Sequence, residues 1–184
     1  MIEELAEAGR EVEKLKRISK NSVALAGEFA VLSQLALRGY DANMTLGHTK
    51  DVDILVSDPV TGRLYKLEVK TSFGGKPKRD KLFGHTLSWM MKKKHEEVID
   101  PNLFYCFVNI EPQTNVFRFF LVSSAVVAAY VRAEHELWLN RSYIGERRTA
   151  LDNPIRMFRI GLDEGGYAIP TPLARECENK WSLE

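Results

Sequence analysis

Two short apolar runs around a turn, KDVDILVSDPVTGRLYKLEVKTS at 50–72, carry acids where a buried strand ordinarily has none. With a strand's period of two, Asp51, Asp53 and Leu55 share one face of the first run, and Val52, Ile54 and Val56 the other. In the second run Leu67 and Val69 point one way, and Lys66, Glu68 and Lys70 the other. Pairing across the turn brings Asp53 and Glu68 together at one edge, with Lys70 beside them. Two adjacent carboxylates repel, and each favours its neutral form. An oxygen-seeking divalent cation relieves that conflict, and Mg²⁺ often takes only one or two carboxylates plus phosphate oxygens. The Lys70 ammonium can stabilise charge on an attacked phosphate, or orient and help deprotonate an attacking water. The competing reading is an ordinary ion network, with Glu68 and Lys70 paired on one face and Asp53 turned to solvent. The residues alone leave both open.

A third acid stands in a helical pattern upstream. Around Glu28, positions i−4, i−3, i+3, i+4 and i+7 are Ala24, Leu25, Val31, Leu32 and Leu35, so its spacing directs it into the apolar face. A lone carboxylate there is costly unless it is paired or metal-linked. Gly27 beside it allows a close approach of helix and strand.

Charge is distributed unevenly around these residues. The formal net charge is only +1, yet between Lys66 and Lys94 nine Lys or Arg stand against two acids, Glu68 and Asp80. A patch containing Lys76, Lys78, Arg79, Lys81, Lys92 and Lys93 suits a polyanionic backbone, with salt-sensitive affinity and no base readout. The alternative is a solvated face. No zinc-finger or helix-turn-helix pattern accompanies it. Cys106 and Cys177 have neither metal-site spacing nor a disulfide framework, and Cys106 in LFYCFVNI reads as a small buried hydrophobe. The acidic, amphipathic first residues do not resemble an apolar leader, and no run is long enough to span a bilayer, so a cytoplasmic, membrane-free protein is expected.

The elements that must position these residues follow from periodicity and punctuation. Leu5, Ala8, Val12, Leu15 and Ile18 predict a peripheral helix over 3–18. Ser19 or Asn21 caps a second helix running to about Arg38, where Gly39 ends it. Residues 40–45 are a first strand or a loop. Strands at 51–56 and 64–71 form a hairpin around SDPVTG. Gly74, Gly75 and Pro77 make a basic loop. A helix is expected over 83–98, with Trp89 packing on the sheet. His85 and His95 are too far apart to form a metal pair on one turn, and neither is given a catalytic role. Strands at 103–110 and 116–122 form a second hairpin, a helix covers 125–140 and a short strand 155–160. Tyr130, Trp138 and Tyr143 are read as core or dimer contacts. The whole reads as one domain over 1–184 with a C-terminal extension over 161–184, of α/β class, a mixed central sheet flanked by helices.

The order Glu28, Asp53, then Glu68-x-Lys70 on a helix, strand, turn and strand resembles the PD-(D/E)xK nuclease superfamily, which includes restriction endonucleases and Holliday-junction resolvases. The match covers about residues 20–72, and the family's proline before the aspartate is Val52 here. The resemblance implies a restriction-endonuclease-like core and metal-dependent hydrolysis of DNA phosphodiesters. Asp53, Glu68 and the Val69 carbonyl would hold Mg²⁺ or Mn²⁺, and Lys70 would be the catalytic lysine. Glu28 would orient a metal-bound water or touch a second ion. Asp51 competes with Asp53 for the ligand role, and Asp53 is favoured because it leads into Ile54, Leu55 and Val56. Thr71 and Ser72 would contact phosphate. Duplex or branched DNA is the implied partner, and one site per chain suits a homodimer for cutting both strands. The alternative is a non-catalytic nucleic-acid-binding or structural relative retaining the fold.

Overall fold

A strand buried on both faces must lie inside a sheet, and LFYCFVNI is buried at every position. The computed structural model describes residues 18–45, 51–140 and 152–183. In chain order the elements are α1 (Lys20–Ala36), β1 (Asp41–Met44), β2 (Ile54–Ser57), β3 (Leu64–Phe73), β4 (Lys78–Asp80) and β5 (Gly84–Lys92). After a 3₁₀ turn (Lys93–Glu96) come β6 (Leu103–Ile110), β7 (Phe117–Ser123), α2 (Ser124–Leu139), β8 (Ile155–Gly161) and α3 (Ala174–Cys177). The central sheet has the order β1-β2-β3-β6-β7, with β3 and β6 parallel and the other pairs antiparallel. A second, antiparallel sheet has the order β4-β5-β8. The expected α/β class and mixed sheet flanked by helices stand, as do both hairpins. The helix predicted over 3–18, apart from its last residue, lies outside the described residues, as do Lys50 and Tyr143.

The central sheet buries its two faces in separate clusters. On one, Ile54, Val56, Leu67, Val69, Cys106 and Val108 pack with Val31 and Leu35 of α1. Trp181 and Leu183, near the end of the chain, close this cluster. On the other, Tyr105 and Phe107 meet Leu87, Trp89, Phe158 and residues of α2. Phe107 and Phe158 stack at 4.2 Å and join the two sheets.

One prediction fails here. Residues 84–92 form β5, an extended strand, where a helix was expected. Leu87, Trp89 and Met91 alternate inward with the period of a strand, and β5 pairs with β8 along its length. Trp89 still packs on the central sheet, against Phe107 and Phe120, and its indole donates to the Val108 carbonyl at 3.0 Å. The polypeptide becomes helical only at the four-residue 3₁₀ turn. Tyr130 is buried in the core as expected, while Trp138 is half-exposed and stacks on His135.

Helix α1 begins where its cap was expected: the Ser19 hydroxyl accepts from the Ser22 N–H at 3.0 Å. Gly39 follows the helix with φ of 84°, a conformation that suits glycine. The buried stripe is narrower than the sequence pattern implied, consisting of Gly27, Val31 and Leu35. Ala24 and Leu25 face solvent, so Glu28 sits at the margin of the stripe and is half-buried. Gly27 makes the closest approach to the sheet. A Cβ there would fall 1.9 Å from Thr71 Oγ1.

Candidate functional site

The site lies where β2 begins and β3 continues past it, paired on its other side with β6. Ile54 opposes Leu67, and the Asp53 N–H also donates to the Leu67 carbonyl at 2.8 Å, so the ladder slips by one residue at Asp53. Ile54 and Leu67 both belong to the core beneath α1. Glu68 and Lys70 lie beside Tyr105 and Phe107 of β6, on the face away from α1, and Asp53 joins them electrostatically at the strand edge. Asp53 Oδ2 accepts from the Val69 N–H at 2.7 Å, taking the ladder position that β2 vacates. By the alternation of the ladder, the Val69 carbonyl is directed to the same edge.

Glu68 is the most enclosed of these residues, at 4 % exposure. Its Oε1 meets both the Lys70 ammonium and His95 Nε2, the latter at 3.4 Å. Its Oε2 is buried with no hydrogen-bond partner. Burial first, and then Glu68 both by its charge and as a hydrogen-bond acceptor, push the Tyr105 hydroxyl up, yet neither that hydroxyl nor Glu68 Oε2 has a partner within normal hydrogen-bond distance. An unpartnered carboxylate oxygen is expensive to bury, so this geometry fits a site that completes itself with a cation or its water. The oxygen-only donor set of Asp53, Glu68 and the Val69 carbonyl suits Mg²⁺ or Mn²⁺. Among the described residues, no three His, Cys, Asp or Glu side chains converge as a ready-made metal cage.

The three acids titrate differently for identifiable reasons. Burial pushes the Asp53 carboxyl above its ordinary range; the Val69 N–H and the Lys70 charge pull against this, and Glu68 adds repulsion. Glu28 is likewise raised, by burial and then by the Asp53 charge, while Lys70 opposes. No hydrogen bond joins Glu28 to the other three among the described residues, but it lies within their electrostatic field. For Glu68 burial also disfavours the anion, but the His95 hydrogen bond and the Lys70 charge outweigh it, leaving the carboxyl below its usual range. The linkage signs follow. Asp53 and Glu28 hold protons more tightly in the folded protein than in the unfolded chain. Without a cation, their ionisation therefore costs stability as pH rises through their raised folded values. Glu68 acts oppositely: its contribution is present above the ordinary carboxyl range and is lost as pH falls through its lowered value.

Other expected residues are distributed less tidily. Asp51 is held in an ion pair with Lys94 and sits at φ of 67°, whereas Asp53 accepts from the Val69 N–H next to Glu68. Thr71 turns to the α1 face, where its hydroxyl is enclosed against Gly27 without a partner. Ser72 shares the Lys70 face and lies opposite Asn109. Gly75 folds back over both, and a Cβ there would fall 2.4 Å from Ser72 Oγ and 2.8 Å from Asn109 Oδ1. Lys76, Lys78, Arg79, Lys81, Lys92 and Lys93 are exposed. Arg79 pairs with Asp163 at 2.9 Å and Lys93 with Asp152 at 3.0 Å, so the patch is partly neutralised. His95, given no role from sequence, contacts Glu68 directly. Reading 84–92 as a helix concealed it, although the Leu87, Trp89, Met91 alternation was available.

No family model matches this chain, and no curated protein does. A solved structure does: a bacterial homing endonuclease, I-Ssp6803I, superposes with a TM-score of 0.50 at 14% sequence identity. The superposition covers 89% of this chain and 88% of that one. At that identity the likeness establishes a shared architecture, a nuclease fold, and says nothing of individual residues. Among the described residues no helix is long and apolar enough to cross a membrane.

Proposed function

We propose that this chain is a divalent-cation-dependent nuclease that hydrolyses phosphodiester bonds in DNA. The observation that carries the reading is the meeting of Asp53, Glu68 and Lys70 at one open strand edge, with Glu68 Oε2 buried and unpartnered. The nuclease-like architecture supports it independently. Asp53, Glu68 and the Val69 carbonyl would hold Mg²⁺ or Mn²⁺. Such a cation, when bound, supplies Lewis acidity toward phosphate oxygens and makes a neighbouring water easier to deprotonate.

The chain's own residues account for the remaining steps. Lys70 is fixed by its ion pair to Glu68 and presents positive charge where the attacked phosphate gains negative charge. Glu28 stands across from Asp53 with a raised pKa, which suits an acid that orients the attacking water and takes up its proton. Ser72 lies on the Lys70 face as a hydroxyl donor for the backbone. Lys76, Lys78, Lys81 and Lys92, exposed and close in sequence to the site, hold the strand by charge. Two such chains would be needed to cut both strands of a duplex, since each chain has one set of these residues.

The test is a panel of supercoiled plasmid, linear duplex, single strand, flap and four-way junction, incubated with Mg²⁺ or Mn²⁺ and with a chelator. The expected result is cutting of at least one DNA that the chelator stops. No cutting on any of them, while the protein is folded, contradicts the proposal and leaves a nucleic-acid-binding or structural protein with a nuclease fold.

A further inference from the structure

We infer that His95 is a positioning residue of this site, fixing the Glu68 carboxylate so that one oxygen is committed and the other is left for a cation. The inference rests on the metal-dependent reading above.

The ring itself is held firmly. It is 2 % exposed and meets the Tyr105 ring edge-on at 5.8 Å. Its Nδ1 lies against the main chain of Lys92, 3.0 Å from the nitrogen and 2.9 Å from the carbonyl oxygen. In the tautomer with the ring proton on Nε2, Nδ1 accepts from the Lys92 N–H and Nε2 donates toward Glu68 Oε1 at 3.4 Å.

The turn that carries the ring is clamped at each of its residues. Lys93 pairs with Asp152, Lys94 with Asp51 and Glu96 with Arg156, so neighbouring side chains are tied to two separate segments, the stretch before β2 and the start of β8. The Glu96 carbonyl also accepts from Arg132 of α2 at 2.6 Å. His95 is the residue of this turn that points at the strand edge. Lys94 reaches the segment just before Asp53, so one turn braces the approaches to both carboxylates.

The consequence for Glu68 is geometric. With Lys70 as its only partner, the carboxylate could present either oxygen to the ammonium. A second donor on the same oxygen removes that freedom and leaves Oε2 in one place, buried and unpartnered. Donors outside the ligand set that orient ligating groups typically change metal affinity by 10–100-fold when removed.

Two substitutions separate this role from a merely structural one. In His95→Asn the amide ends near the position of Nδ1, so it can keep the Lys92 contact but cannot reach Glu68. In His95→Gln the amide extends to the position of Nε2, so it can reach Glu68 but loses the Lys92 contact. Mn²⁺ binding is measured by the electron paramagnetic resonance signal of free Mn²⁺, beside the Mn²⁺ concentration that gives half-maximal plasmid nicking. The expected result is about tenfold weaker Mn²⁺ binding and a matching shift of the nicking midpoint for His95→Asn. His95→Gln should stay near wild type. Wild-type binding by His95→Asn, or greater loss in a folded His95→Gln than in His95→Asn, overturns the inference while leaving the metal site standing. A wild-type protein that binds no Mn²⁺ overturns both.

Discussion

Lys70→Met lowers the single-turnover rate of Mg²⁺-dependent plasmid cleavage by about 10²–10³-fold, the cost of removing one pre-placed charge from a developing phosphate anion. Methionine keeps the length and the apolar stem and removes only the ammonium, so the strand edge is not disturbed. Two further changes accompany the loss. Glu68 Oε1 retains His95 alone, and the charge that restrains the raised pKa values of Asp53 and Glu28 disappears. Both acids then become harder to ionise, so the residual rate climbs to higher pH than in the wild type. Mn²⁺ binding persists, because the oxygen donors remain. A Lys70→Met protein within tenfold of wild type at saturating metal would remove Lys70 from the chemistry.

Gly27→Ala costs about 2–3 kcal/mol of folding stability, even though alanine in an open helical position gains about 1 kcal/mol over glycine. The reversal comes from the sheet. The new Cβ would fall 1.9 Å from Thr71 Oγ1, 2.9 Å from its Cβ and 3.0 Å from its Cγ2. These atoms belong to a β-branched residue in β3, which cannot swing away as the end of a long flexible side chain could. Helix α1 must lift from the strand, loosening Val31 and Leu35 in the core and carrying Glu28 away from Asp53. In a domain of this size the melting temperature falls by roughly 5–10 °C. Thermal unfolding with and without metal checks this, and an unchanged or raised melting temperature would mean that helix and strand are not in close contact.

Much of the site could be read from local pattern, because its residues lie on a hairpin. A turn-forming SDPVTG between two apolar runs sets a register, and the register brings Asp53 to the Glu68 end of the hairpin without any long-range information. Gly27 was legible for the same reason, as a gap in an otherwise bulky helix face. The failures have physical causes. WMMKKKHEE is rich in strong helix formers, and what makes 84–92 a strand is its pairing with β8, some seventy residues later in the chain. Local propensity cannot see that partner, and with the strand went the role of His95. The alternation that turns Leu67 and Val69 to α1 also turns Thr71 there, a placement the period of β3 already contained. Asp51 and Asp53 were equivalent by period, and long-range contacts distinguish them: Asp51 pairs with Lys94, and Asp53 accepts from the Val69 N–H.

The claim that Asp53 and Glu68 form a cation site is tested most directly by thermal unfolding of wild type and Asp53→Asn at pH 7, in chelator and in Mn²⁺. The carboxamide of the variant can still accept the Val69 N–H, so the substitution removes the charge and keeps the shape. In chelator the variant melts above wild type by roughly 2 °C or more, since a half-buried anion next to Glu68 has been neutralised, with the gain limited by solvent screening. Mn²⁺ then raises the melting temperature of wild type, by mass action on the folded state, and leaves the variant where it was. A wild type indifferent to Mn²⁺, or a variant that gains equally from it, would contradict the account.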